Sequence, residues 1–218
     1  MDPITLALLF GGLALMGTSV GTSGNPSVPA TPGTDEDIKL EVLARLKDAS
    51  RITVPPLDKW VEVQHGAEKW LVAPYYIAPV GIGEAIRVAK QKEFSVPTPE
   101  LVDSIWKAAD LKLEPHPRGL GSKPPSDFTM KTMNAPETHI AQLAFIQDQI
   151  QTQNPNFKLL AGSHKDVVFK DGKTGIYGWH KPNGKIIQDF FTGHAHSDNP
   201  ADDWKDYSQG LRLVKRIA

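Results

Sequence analysis

Histidine and aspartate side chains near the C-terminus could together bind a metal ion. His194 and His196 stand two residues apart in GHAHSD, and on an extended strand residues at that spacing point to the same side. Asp198 follows at the same spacing, and His164 lies upstream in SHKDVV. Imidazole nitrogens and a carboxylate are ligands that suit Zn²⁺. The spacing predicts a metal site formed by these four residues, with a solvated polar loop as the alternative.

His180 is the candidate for acid–base catalysis. It follows Trp179 at the start of an Asn-Gly turn, and an imidazole gains or loses a proton near neutral pH. Asp166 could orient this imidazole as the acidic member of a catalytic triad does, and Lys165 could neutralise an anionic substrate. The alternatives are an ion pair of Lys165 with Asp166 that caps the strand, and ordinary cross-strand packing of His180.

A further group of aromatic and polar residues would contact the substrate. It comprises Tyr177, Trp179, Asp206, Ser208 and Arg212. Asp206 and Ser208 share a strand face by their spacing. Ser208 lacks the Gly-x-Ser-x-Gly motif of an acyl nucleophile, which favours a hydrogen bond in a turn instead. His139 and His65 are expected at the surface.

Composition excludes several classes of function. The 218 residues are 40% hydrophobic, enough for a substantial core. The net charge of −1 argues against a nucleic-acid partner, because there is no general basic excess to displace phosphate counterions. The chain has no cysteine, which excludes thiol catalysis, thiolate metal ligands and disulfides.

The N-terminal segment is apolar and predicts a membrane contact. Ile4 to Gly17 carries no charge, but a bilayer-spanning helix needs about 20 residues. Residues 1–20 are therefore interpreted as a retained anchor, a cleaved signal or a helix buried in protein. Residues 21–34 are rich in Gly, Ser, Thr and Pro and predict a flexible tether.

Helix signals recur in the remaining sequence, residues 35–218. They occur in IKLEVLARLKDAS, GIGEAIRVAKQKEF, TPELVDSIWKAADLKL and APETHIAQLAFIQDQIQTQ. Thr98 is expected to cap the third helix, with Pro99 at its first position. In the fourth helix, apolar residues recur at helical spacing. They are Ile140, Leu143, Ile146 and Ile150.

Beyond the last of these helices the pattern changes to a period of two, which is typical of strands. Three such segments are separated by Asp171–Gly172 and Asn183–Gly184, dipeptides preferred in tight hairpin turns because both central positions need positive φ. DYSQGLRLVKRI is the expected fourth strand. The sequence thus predicts one α+β domain, in which helices pack on one face of an antiparallel β-meander over residues 157–218.

Five phrases resemble a largely uncharacterised family of bacterial and phage proteins. They are YYIAP, VPTPELVDSIWKAADLKLEP, LLAGSHKDVV, IYGWHKPNGKIIQ and DYSQGLRLV, in that order. The resemblance implies that residues from about Tyr75 to Val214 form one domain, and it implies no activity. The family usually has His where this chain has Gln209, so a site that used this His would be impaired or rewired here. A fainter similarity of DYSQGLRL to L,D-transpeptidases implies at most a cell-wall setting, since their nucleophile is a cysteine.

These features lead to two functional hypotheses. The first is a hydrolase of the cell envelope that acts on peptidoglycan with a His/Asp site on the C-terminal sheet. The alternative is a non-catalytic protein, membrane-associated or part of a phage virion, that serves structure or interaction. Both place the protein in a bacterial envelope or a virion, anchored or exported through Ile4 to Gly17, and both leave the oligomeric state open.

Overall fold

The computed structural model describes residues 54–78, 80–117, 133–192 and 205–218. The α-helices are α1 (Ile82–Gln91), α2 (Pro99–Ala108) and α3 (Pro136–Gln153). The strands are β1 (Val61–His65), β2 (Glu68–Val72), β3 (Leu111–Lys112), β4 (Leu160–Ala161), β5 (Lys165–Lys170), β6 (Lys173–His180), β7 (Ile186–Phe191), β8 (Gln209–Gly210) and β9 (Val214–Arg216). This mixture of helices and mainly antiparallel strands confirms the α+β prediction. The predicted anchor, the tether and the first predicted helix lie outside the described residues.

Helix α2 begins as its sequence predicts. The Thr98 hydroxyl accepts a hydrogen bond from the Leu101 N–H at 3.2 Å, and Pro99 occupies the first turn, where its missing N–H costs nothing. The helix ends at Ala108, before the extended backbone of Ala109. This cap determines where α2 begins, and α2 carries part of the candidate site.

The antiparallel β-meander is present in β5, β6 and β7. Asp171 and Gly172 connect β5 to β6 with φ of 51° and 77°, the left-handed conformations that the Asp-Gly pair predicts. The next turn is wider than a two-residue turn. Lys181 N–H donates to Lys185 O at 2.9 Å across it, and only Gly184 has positive φ.

The last segment does not form one fourth strand of the meander. β8 pairs with β5 in parallel, whereas β9 pairs with β2 of the N-terminal hairpin. Leu211 between them bridges to Ile77. The predicted sheet over residues 157–218 is therefore wrong at its C-terminal end, because these residues satisfy their backbone groups on four different partners, namely β5, Ile77, Ser95 and β2. They join the N-terminal sheet, ordered β1-β2-β9, to the C-terminal sheet, ordered β7-β6-β5-β8.

The helices contact both faces of the C-terminal sheet rather than one. α1 packs in a core cluster with Val167 and Ile176, which are cross-strand partners. Tyr177 follows Ile176 and so points to the opposite face, where it bonds Asp103 of α2.

α3 buries three of the four residues of its predicted apolar stripe, Leu143, Ile146 and Ile150, whereas Ile140 is only partly buried. It also buries His139, which is only 2% exposed, so the expected surface position of His139 is wrong.

Candidate functional site

Four side chains from α2 and β6 meet at what we call the His180 site: Asp103, Trp106, Tyr177 and His180. His180 Nε2 lies 2.9 Å from Asp103 Oδ1, and the Tyr177 hydroxyl donates to the same oxygen at 3.0 Å. The Trp106 ring stacks on the His180 imidazole, with centroids 5.6 Å apart and planes 18° apart. Asp103 and Trp106 are three residues apart on α2, so both reach the same side of the helix.

An irregularity in β6 brings Tyr177 and His180 to one carboxylate. The pairing of β6 with β7 shifts register between Ile176 and Gly178, and Gly178 and Trp179 have left-handed φ of 92° and 55°. A regular strand would point Tyr177 and His180 to opposite faces. Trp179 is instead buried, and its indole N–H donates to Ser163 O at 3.2 Å. Trp179 therefore lies in the core and is not placed to contact a substrate.

The hydrogen bonds of the His180 site define its protonation. Burial lowers the pKa of His180, and the bond to Asp103 opposes that shift, so the imidazole is neutral near pH 7. Because a carboxylate only accepts hydrogen bonds, Nε2 carries the proton and Nδ1 keeps a lone pair. Burial and the bond to Asp103 raise the pKa of Tyr177, which keeps its hydroxyl protonated as a donor.

The backbone of Gly178 lies close against the His180 ring, on the side of Nδ1. A Cβ at Gly178 would stand 3.2 Å from His180 Nδ1. The Lys112 ammonium lies 5.1 Å from the Trp106 ring centroid, a cation–π contact. The arrangement offers an oriented base, an aromatic surface and a positive charge together.

A second polar group, which we call the Tyr76 cluster, consists of Tyr76, His164, Asp166 and Arg212. The Tyr76 hydroxyl donates to Asp166 Oδ2 at 2.8 Å, and Arg212 Cζ lies 3.8 Å from the Tyr76 ring centroid. The His164 ring packs at 5.4 Å from the same ring. Arg212 is fully buried and donates through Nη1 to Ala73 O at 2.7 Å. The cluster therefore lies in the interior.

Burial dominates the titration of the Tyr76 cluster. It raises the pKa of Asp166 to about 7, although the Arg212 guanidinium and the Tyr76 hydroxyl act in the opposite direction. It lowers the pKa of His164 to about 3, so this imidazole is neutral throughout the physiological range. Asp166 thus shares a buried network with Arg212 and is not a freely ionised surface carboxylate.

The Tyr76 cluster borders a small cavity of about 10 Å³. Its wall includes Tyr76, Ser163 and His164. A volume of this size accommodates about one water molecule. Within the described residues, His164 Nε2, Asp166 Oδ1 and Arg212 Nε have no hydrogen-bond partner. The cluster is polar and buried, and the cavity beside it has no room for a substrate.

Gln209 is the position at which the family resemblance predicts a His. Its Cα lies opposite that of Lys165 in the β5–β8 pair, and its side chain is fully buried. Both polar atoms of the amide lack a hydrogen-bond partner among the residues that the structure describes. Burying an amide without hydrogen bonds costs folding free energy. The described residues alone therefore do not supply the hydrogen-bond partners that the Gln209 side chain needs.

The structure separates the catalytic residues proposed from the sequence. Asp166 does not orient His180, because its carboxylate bonds Tyr76 while Asp103 bonds His180. Lys165 pairs with Asp206 Oδ2 at 3.4 Å rather than with Asp166, and its ammonium lies 5.3 Å from the Trp179 ring centroid.

The other predicted substrate contacts lie mainly inside the protein. The Ser208 hydroxyl donates to Asp206 Oδ1 at 2.8 Å, which confirms a hydrogen bond in a turn. Asp206, Ser208 and Arg212 are all buried, because they form the polar interior between the two sheets. Tyr177 alone among the predicted contacts belongs to the His180 site.

The predicted metal site lies largely outside the described residues. His194, His196 and Asp198 are not among them, and His164 lies in the Tyr76 cluster. In the described part of the chain, no three His, Cys, Asp or Glu side chains are grouped so that they could hold a metal ion.

Sequence reasoning missed Asp103 and Trp106. Both lie in the helix PELVDSIWKA, and an acidic and an aromatic residue three positions apart on a helix are common on solvated faces. Their position within the longest phrase of the family resemblance was the available signal. The residue that bonds His180, Asp103, lies on a helix, whereas the predicted partner, Asp166, lies on a strand.

Comparisons with known proteins give no match. No protein-family model matches the chain, and neither a curated protein nor a solved structure matches it. The family resemblance of the five phrases stays a prediction. Among the described helices, none has the length and apolar character needed to cross a bilayer.

Proposed function

We propose that this protein is a hydrolase associated with the cell envelope, and that it cleaves amide bonds in peptidoglycan. The observation that carries the proposal is the 2.9 Å contact of His180 Nε2 with Asp103 Oδ1, supported by the Tyr177 hydroxyl on the same oxygen. A neutral imidazole held by a carboxylate is the acid–base unit of many hydrolases. The uncharged segment Ile4 to Gly17 supports the placement at an envelope.

His180 would act on a water molecule. Nδ1 takes a proton from the water as its oxygen attacks the amide carbon, and the imidazolium that forms is stabilised by the Asp103 carboxylate. His180 then returns the proton to the leaving nitrogen as the C–N bond breaks, which yields an acid and an amine.

The number of carboxylates at the His180 site favours an amide bond over a glycosidic bond as the bond that is cleaved. Glycosidases of the common type place two carboxyl groups on opposite sides of the scissile bond. Among the described residues, the four side chains that define the His180 site include one carboxyl group, that of Asp103, and its Oδ1 is occupied by His180 and Tyr177. Lys112 beside Trp106 supplies a positive charge that suits the carboxylates of wall peptides.

The first test is release of muropeptides from purified sacculi by the full chain. Asp103→Asn and His180→Gln are expected to lower the release rate by about 100-fold or more, since positioned acid–base groups contribute about 10²–10⁴ in rate. Ser104→Ala is the matched control. Ser104 neighbours Asp103 on α2, but its hydroxyl lies 2.9 Å from His65 Nδ1 and not at the His180 site. No release by the wild type, or equal release by all variants, would exclude the enzymatic proposal.

The Tyr76 cluster is buried and has no room for a substrate, which favours a second candidate. This candidate is a membrane-associated or virion protein with a structural or interaction role. In that case the buried polar residues, among them Asp166 and Arg212, serve only to specify the fold. His180→Ala would then leave function intact, whereas deletion of Ile4 to Gly17 would abolish it. Measuring both variants in one assay of membrane or particle association separates the two candidates.

A further inference from the structure

β7 is the edge strand of the C-terminal sheet. It pairs with β6 on one side, and no strand in the described part of the chain pairs with its outer edge. Its sequence, IIQDFF, is largely apolar, and Phe191 is 44% exposed. An accessible edge strand is a template for pairing with another strand.

The direction of the β7 backbone groups can be read from the hairpin. Lys185 O accepts from Lys181 N–H at 2.9 Å, so the backbone groups of Lys185 point toward β6. Successive residues of an antiparallel strand direct these groups to alternate sides. The pairing with β6 keeps its register from His180 opposite Ile186 to Gly178 opposite Gln188, and the register shift begins beyond Gln188. Ile186 and Gln188 therefore direct their N–H and C=O groups away from β6, toward the open edge.

We propose that two copies of this chain associate through β7, antiparallel and centred on Ile187. In that register Ile186 of each copy lies opposite Gln188 of the other copy, and the two residues exchange both N–H···O hydrogen bonds. These bonds use the N–H and C=O groups that point away from β6 in both strands. Ile187 stands opposite Ile187 of the second copy as a non-hydrogen-bonded pair. The contact is isologous, as in most protein dimers.

Charge complementarity selects this register. Lys185 and Asp189 are both exposed and lie symmetrically two residues from Ile187. Pairing centred on Ile187 places Lys185 opposite Asp189 of the second copy, twice by symmetry. Moving the centre to Ile186 or Gln188 keeps the backbone groups aligned but places Lys185 opposite Ile187 or Phe191 instead. Opposite charges facing each other across strands are stabilising, and like charges are destabilising.

A single introduced cysteine tests the register, because the chain has no cysteine of its own. Ile187→Cys would face its copy with Cα atoms about 4.5 Å apart, within disulfide range. Ile186→Cys, the matched control, would lie beyond about 7 Å from its copy and cannot be bridged without backbone movement. The full chain is oxidised in non-ionic detergent, which keeps the apolar N-terminus from driving association, and dimer is measured on non-reducing gels. We expect predominantly dimer for Ile187→Cys, and cross-linking at least about tenfold slower for the control. Equal rates, or no dimer, would overturn the proposal.

Charge exchange provides an independent test. Lys185→Asp and Asp189→Lys each create two like-charge pairs and are expected to raise the dimer dissociation constant by about tenfold or more. The double variant Lys185→Asp with Asp189→Lys restores opposite charges and is expected to restore the wild-type constant. Analytical ultracentrifugation of the full chain measures the dimer dissociation constant of the wild type and of each variant. A wild-type chain that stays monomeric, or a double variant no tighter than the single variants, would contradict the proposed pairing.

Discussion

Two buried imidazoles, His139 and His164, make the fold sensitive to acid. His139 Nε2–H donates to Lys205 O at 2.9 Å, and His164 packs on Tyr76. Burial lowers the pKa of His139 to about 4 and that of His164 to about 3, whereas both would titrate near 6.5 in the unfolded chain. Below about pH 6.5 these two imidazoles bind more protons in the unfolded state, so they lower the free energy of unfolding as the pH falls. The buried Asp166, whose pKa is raised to about 7, acts in the opposite direction down to about pH 4.

We expect each of these histidines to remove up to about 1.4 kcal/mol of stability per pH unit between about pH 6 and 4. Urea unfolding measured at several pH values tests this. His164→Gln should reduce the slope of stability against pH relative to the wild type. An identical slope for His164→Gln and the wild type would show that His164 is protonated in the folded state.

At the scale of single residues, the sequence identified His180 but not its partner. An isolated imidazole beside an Asn-Gly turn is visible in the sequence because few residue types titrate near neutrality. Asp103 is 77 positions away, and only the packing of α2 on β6 relates the two. Asp166 was the wrong partner because it is buried beneath Tyr76.

At the scale of elements, the irregularity in β6 determines where His180 points. A Cβ at Gly178 would approach His180 Nδ1 at 3.2 Å and Val102 Cγ1 at 3.3 Å, whereas a Cβ at Gly172 would meet no atom within 4 Å. Both glycines have positive φ, so alanine is strained at either position by about 1 kcal/mol or more. The two positions differ in the contact with His180.

Gly172→Ala is therefore expected to cost about 1 kcal/mol of stability and to leave muropeptide release unchanged. Gly178→Ala should cost more stability and lower release by at least about tenfold, because a small displacement of a catalytic group has a large effect on rate. Chemical denaturation and the sacculus assay measure the two quantities. Equal activity of the two folded variants would contradict a role for the β6 geometry.

Element prediction succeeded where local signals suffice. Thr98 and Pro99 predicted the start of α2, and Asp171–Gly172 predicted the first hairpin. It failed for the segment from Gln209 to Arg216, whose strands pair with β5 and β2. Which strand each part of this segment pairs with depends on the tertiary fold. The periodicity of the segment's own sequence does not identify its pairing partner.

At the scale of the whole molecule, Arg212 joins segments that are distant in sequence. Its Nη1 donates to Ala73 O at 2.7 Å and its Nη2 to Leu160 O at 2.5 Å, while the guanidinium lies on the Tyr76 ring. A lysine has one nitrogen and cannot reproduce this planar arrangement. The guanidinium therefore connects the segment after β2 to β4 and to the chain before β9.

Arg212→Lys is expected to lower the free energy of unfolding by about 3 kcal/mol or more, because it leaves buried carbonyl groups unpaired. Arg216→Lys is the matched control. Arg216 is 61% exposed, pairs with Glu68 at 3.0 Å, and should change stability by no more than about 0.5 kcal/mol. Guanidinium unfolding followed by tryptophan fluorescence measures both. A similar small effect for both variants would show that the buried guanidinium is not a structural link.

The α+β class could be predicted for the whole chain because helix periodicity and strand alternation occupy separate stretches of sequence. The joining of the two sheets by the C-terminal residues could not, since it depends on buried polar contacts such as those of Arg212. The membrane contact of Ile4 to Gly17 and the metal ligands His194, His196 and Asp198 remain predictions.

The pairing of His180 with Asp103 is tested most directly by ¹⁵N NMR of the His180 ring in the full chain. The geometry predicts one tautomer with the proton on Nε2, a titration midpoint below the ordinary histidine value, and loss of that tautomer preference in Asp103→Asn. A proton on Nδ1, or a ring spectrum that Asp103→Asn does not change, would contradict the proposed acid–base site.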